Sequence, residues 1–194
     1  LVGAHAPRGS RLLRGTPTAN ATISMRSVVK APADRRRLAA YNYQEVAKLT
    51  AADAATNDRF GYSVAIDGET VVIGAYQSYD GGSGSVYILR TNDGSAYGQV
   101  AKLTAADAAA YDSFGYSVAI DGSTVVVGAH AKNSGRGAVY VFRTSDGGAT
   151  YVEVVKLTAD DAAASDAFGR SVAIAGDSVV VGADQDDSER GSVY

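Results

Sequence analysis

The sequence predicts an all-β fold, a fragment of a β-propeller built from four-stranded antiparallel blades. Three sets of anchors carry that prediction. Phe60-Gly61, Phe114-Gly115 and Phe168-Gly169 recur with a 54-residue repeat. Lys48-Leu49-Thr50, Lys102-Leu103-Thr104 and Lys156-Leu157-Thr158 keep the same period, as do Gly74-Ala75, Gly128-Ala129 and Gly182-Ala183. Four short apolar runs fall inside each period, and four strands in about 50 residues make one propeller blade.

Each strand has its own signal. Gly61 to Ile66 alternates loosely and ends at Asp67-Gly68, a tight-turn pair. Thr70–Ala75 (TVVIGA) is almost continuously apolar, the pattern of a strand covered on both faces. A glycine-rich loop leads to the third strand, Ser85–Arg90 or Ala138–Arg143. Asn92-Asp93-Gly94, or Ser145-Asp146-Gly147-Gly148, then turns the chain into Gln99–Thr104 or Val152–Thr158.

The first forty residues keep only traces of the pattern. Leu1–Ala6 (LVGAHA) matches Val126–Ala131 and reads as a second strand, Ser27-Val28-Val29 as a worn third, and Tyr43–Thr50 as a fourth. Residues 1–40 are expected to form a degenerate, basic partial blade, poorly ordered from Pro7 to Ala40. Residues 41–194 hold two full repeats and partial ones, the last cut short at Tyr194. The chain starts at Leu1 without a leader pattern, and both ends read as cut.

Composition limits the chemistry. The chain has 194 residues, 46% of them apolar, with 22 Gly, 3 Pro and no Cys. Disulfides, thiolate catalysis and cysteine-bound zinc are therefore excluded, and no apolar run approaches the ~20 residues of a membrane span. Residues 1–40 carry eight Lys or Arg and one acid, whereas residues 41–194 carry ten bases and twenty acids, a net −10. That acidity argues against a nucleic-acid groove.

The Phe-Gly, Ser-Val-Ala and Val-Val-(Ile/Val)-Gly-Ala signature resembles the FG-GAP repeat of integrin-like β-propellers. The third element differs, reading Gly-Ala-Tyr76, Gly-Ala-His130 and Gly-Ala-Asp184. The resemblance implies a closed propeller, usually of seven blades, that binds partners on one face. Many members hold calcium in an acidic loop between the first and second strands. Here that loop is Asp67-Gly68-Glu69, Asp121-Gly122-Ser123 or Ala175-Gly176-Asp177, too short and too poor in acids to supply six to eight oxygens. No cofactor is expected, and the calcium site does not carry over.

Within this framework Phe60, Phe114 and Phe168 are core rings, beside Gly61, Gly115 and Gly169, and Gly74, Gly128 and Gly182 complete the anchors. Asp53, Asp107 and Asp161 follow Thr-x-x-Asp spacing, which suggests caps on short helical turns. Asp58, Asp112 and Asp166 suit acceptance of backbone N–H groups in the turn before the first strand. A cation site built from both sets is the sharper reading, a structural role the plainer one. The loop after Gly-Ala is where the copies diverge, and a constant scaffold with varying loops is how binding proteins diversify. Its candidates are Tyr76, Tyr79 and Asp80 in the first copy, His130, Lys132 and Arg136 in the second, and Asp184, Asp186, Asp187 and Arg190 in the third. Asp184, Asp186 and Asp187 match a calcium loop poorly. Asn20-Ala21-Thr22 is a glycosylation sequon.

The expected function is a non-enzymatic interaction module, extracellular or on the cell surface, that binds a protein or glycan and no nucleic acid, with no membrane span in this chain. The alternative is an accessory propeller beside a catalytic domain outside this chain.

Overall fold

The inner hairpins set the architecture. The computed structural model describes residues 23–27, 44–77 and 81–194, with side chains from Glu45 onward. β3 (Ser63–Asp67) and β4 (Thr70–Ala75) pair antiparallel from Ser63↔Gly74 to Asp67↔Thr70. This leaves Gly68-Glu69 as a two-residue turn. Gly68 has φ 54°, the positive value such a turn demands of its first central residue. β5 (Ser85–Arg90) and β6 (Gly98–Leu103) complete a sheet of order β3-β4-β5-β6.

The second sheet repeats it with β7 (Ser117–Asp121), β8 (Thr124–Ala129), β9 (Ala138–Arg143) and β10 (Val152–Leu157). The third has β11 (Ser171–Ala175), β12 (Ser178–Ala183) and β13 (Ser192–Val193). The sequence places the second and third strands to the residue and misses the others only at their ends. Each four-stranded antiparallel sheet has the form of a propeller blade.

Blades stack through their middle strands. β4, β5, β8 and β9 alternate side chains between two faces, and both faces are covered. Val72, Val86 and Ile88 meet Phe114, Val125, Val127, Tyr140 and Phe142 of the next blade. Val71, Ile73, Tyr87 and Leu89 face the other way, onto Phe60, Leu49 and Ala51. Val126, Val139 and Val141 repeat that contact against Phe168, Val181 and Ala183. The Phe rings are core, as expected: Phe60, Phe114 and Phe168 are at most 3% exposed. Each stands edge-on to a tyrosine, at 5.2 Å from Tyr87, 5.5 Å from Tyr140 and 5.4 Å from Tyr194. β3 packs beside β7 and β7 beside β11, so the first strands form a row.

In the N-terminal segment, β1 (Ile23–Ser27) pairs with β2 (Gln44–Leu49) across a bulge between Met25 and Arg26. Ser27 of the expected Ser27-Val28-Val29 pairs with Gln44, and Val28 and Val29 lie outside the described residues. The expected strand at Leu1–Ala6, the sequon at Asn20 and the rest of the degenerate segment lie outside the described residues.

Candidate binding face

Two sets of acids stitch the blades together. The residues after Thr50 and its copies form short turns, but among the described residues no bond from their aspartates caps those turns. Their aspartates instead accept from the following blade. Asp53 receives Tyr87 Oη (2.8 Å) and Lys102 Nζ (2.5 Å), Asp107 receives Tyr140 Oη (2.6 Å) and Lys156 Nζ (2.7 Å), and Asp161 receives Tyr194 Oη (2.8 Å). Burial opposes ionisation of Asp107, but the bonds from Lys156 and Tyr140 and the nearby lysine charges outweigh it and bring the pKa to about 2. Asp58, Asp112 and Asp166 accept the backbone N–H groups of Ala55, Ala109 and Ala163, as the sequence suggested.

The opposite end of the inner hairpins is closed in a similar way. Asp67 accepts the Gly122 N–H at 2.7 Å and Asp121 the Gly176 N–H at 2.5 Å. Each hairpin carboxylate is thus bonded to the turn of the next blade. Among the described residues, no group of three or more His, Asp or Glu side chains converges to hold a metal ion.

The loop after Gly-Ala lies against the Thr-x-x-Asp turn, and three of the expected ligand-binding residues, Tyr76, Lys132 and Asp186, are buried. Lys132 is 4% exposed, with Nζ 2.7 Å from Asp112 Oδ2 and 3.5 Å from Asp107 Oδ1. The cation between the two aspartates is the protein's own ammonium. Lys132 is therefore no exposed contact, because the turn α1 (Lys132–Gly135) folds its side chain inward. In the third copy, α2 (Asp186–Glu189) puts Asp186 at the matching place. Asp186 is 9% exposed and accepts from Tyr194 Oη at 3.1 Å, so it is also turned away from solvent. It borders a cavity of about 580 Å³ with Asp161, Asp166, Asp187 and Glu189. Asp187, Arg136 and Arg190 are exposed, and Tyr79 and Asp80 lie outside the described residues.

The remaining candidates, Tyr76, His130 and Asp184, converge with residues the sequence reading passed over. Tyr62, Tyr116 and Arg170 each follow a Phe-Gly pair, at the start of the first strand and beside the end of the second. Because the first strands lie in a row, these side chains form one stripe across three blades. Tyr62 sits 4.3 Å from Tyr76 and 4.8 Å from Tyr116 by ring centroids. Tyr116 is 5.2 Å from Tyr76 and 4.0 Å from His130. The Arg170 guanidinium lies 5.8 Å from the Tyr116 ring, its Nε is 3.2 Å from Asp184 Oδ2, and the Gln185 amide accepts from it at 3.2 Å. At the other end Arg59 lies over Tyr76 and donates to its Oη at 2.6 Å.

Electrostatics keep the rings of the stripe uncharged. The bond to Tyr116, followed by burial, raises the Tyr62 pKa to about 12. Burial, followed by the Arg170 charge, lowers the His130 pKa to about 4, so its imidazole is uncharged at neutral pH. The chain carries a partial signal for the missed residues: the position after the invariant Phe-Gly pair is Tyr62 and Tyr116 in two copies and Arg170 in the third, whereas Tyr76, His130 and Asp184 all differ.

Blade-like sheets joined by these latches define a β-rich repeat protein whose copies share a scaffold and differ at one end. The FG-GAP repeat matches residues 43–89, 97–142 and 151–194, and the chain belongs to that family. No curated protein matches the chain. Among the described residues no helix is long and apolar enough to cross a membrane.

Proposed function

We propose that the chain is a non-catalytic interaction module of β-propeller type, displayed outside the cell or at its surface, that binds a protein or glycan through the stripe from Arg59 to Asp184. One observation carries this reading. Seven side chains from three blades meet on one face, with Tyr62 at its centre 46% exposed and Tyr76 beneath it 8% exposed. Tyrosine and arginine supply large, stiff contact area with polar tips, the composition that dominates binding hot spots. The repeated acids are already committed to holding blades together, which leaves this face as the variable surface.

The test is an array of extracellular protein domains and glycans probed with the 194-residue chain and with Tyr62→Ala and Arg170→Ala. Saturable binding that both substitutions weaken supports the reading. Absence of binding, or binding indifferent to both, contradicts it.

A further inference from the structure

Resting on that reading of the face, we infer that its ligand is an uncharged glycan, stacked on Tyr62 and Tyr116 and held by the adjacent Arg170–Asp184 pair. The first argument is charge. Both guanidiniums are occupied, Arg59 by Tyr76 Oη and Arg170 by Asp184 and Gln185. An acidic ligand would have to displace Asp184 from Arg170 to gain a counter-ion. An uncharged ligand leaves the Arg170–Asp184 pair intact.

The second argument concerns hydrogen bonds. A sugar's neighbouring hydroxyls each donate and accept, and Arg170 and Asp184, joined Nε to Oδ2 at 3.2 Å, keep further N–H donors and carboxylate lone pairs next to the Tyr116 ring. A peptide that binds by strand addition needs free backbone groups. At this end of the hairpins they are spent: Gly61, Gly115 and Gly169 N–H donate to the carbonyls of Gly74, Gly128 and Gly182 at 3.0, 3.1 and 3.1 Å. What remains for a ligand is ring faces, phenol hydroxyls and the ion pair.

The third argument is preorganisation. Tyr62, Tyr76, Tyr116 and His130 already touch one another, so the platform exists without a ligand and little side-chain entropy is lost on binding.

The chain contains no Trp and 12 Tyr, so its fluorescence is that of tyrosine, and the alanine variants assign a change on binding to this surface. The experiment titrates the 194-residue chain with cellohexaose, xylohexaose, mannohexaose and laminarihexaose, with hexagalacturonate as the acidic probe, beside an array of extracellular protein domains. Saturable binding of a neutral hexasaccharide is expected, weakened about tenfold or more by Tyr62→Ala and by Tyr116→Ala. Asp184→Asn should weaken it as well. Tyr111→Ala, at an exposed tyrosine off the stripe, should leave it unchanged. Binding of only hexagalacturonate or a protein domain, if lost with Tyr62→Ala, overturns the uncharged glycan and leaves the binding face standing. Binding that Tyr62→Ala and Tyr116→Ala do not affect, or no binding by any probe, overturns both. Tyr62→Phe keeps the ring and should retain most of the affinity, which guards against a folding defect in the alanine variants.

Discussion

Ser117 Oγ donates to the Gly169 carbonyl at 2.7 Å, joining the first strand of one blade to that of the next. Ser63 does the same to Gly115 at 2.8 Å. The glycine of each Gly-Ala pair makes room for this latch. A Cβ on Gly128 would stand 2.0 Å from Gly169 O and 2.2 Å from Ser117 Oγ. Gly128→Ala should therefore cost about 2–3 kcal/mol through forced overpacking, whereas Ser117→Ala should cost about 1 kcal/mol for one hydrogen bond. Urea unfolding of both variants checks the order. Equal losses would show that the glycine is not there for the latch.

Lys132 is the second structural test. Lys132→Met leaves the Asp112 carboxylate buried without its cation, and stability should fall by about 3 kcal/mol or more. Adding Asp112→Asn removes the stranded charge while keeping an acceptor for the Ala109 N–H, so the double variant should regain much of the loss. A double-mutant cycle by chemical denaturation measures this coupling, and additive losses would contradict it.

Stability should fall with acid in two separable windows. His130 has a folded pKa of about 4 against an ordinary 6.5, so the unfolded chain takes up a proton between these values that the folded one refuses. Folding weakens as pH drops from 6.5 toward 4, and His130→Asn should flatten that limb. Asp107 is depressed to about 2 from 3.8. Its contribution is present above 3.8 and is lost as pH falls toward 2, so Asp107→Asn should lower stability at neutral pH and flatten this lower limb. Urea midpoints measured from pH 7 to pH 2 separate the two. An unchanged slope in either variant would reject its assignment.

The scaffold was legible because it is written three times. Phe60, Gly74 and the Val-rich runs of β4 and β8 must recur wherever one blade meets the next, so repetition alone identified strands and core. Lys132 was misread because a charged residue in a divergent loop looks solvated. Its burial depends on Asp107 and Asp112, which are distant in sequence and look like isolated turn acids. Asp53 and its copies were misread for a related reason: Thr-x-x-Asp is a local helix signal, and the partner that claims Asp53 is Tyr87 in another blade. Tyr62, Tyr116 and Arg170 carry a weaker signal because the first two copies share tyrosine and only the third differs, and only the row of first strands brings this position to the face of the loop after Gly-Ala.

The central claim is that binding occurs on the Tyr62–Tyr116 stripe and that the repeat beneath it is scaffold. Hydroxyl-radical footprinting of the chain with and without a ligand found on the array tests this most directly. The account predicts protection of Tyr62, Tyr116 and His130 on binding, with Tyr111 and the exposed valines Val152, Val154 and Val155 of β10 unchanged. Protection confined to those valines, with Tyr62 and Tyr116 fully reactive, would place the binding surface on the outer edge of the blade and contradict it.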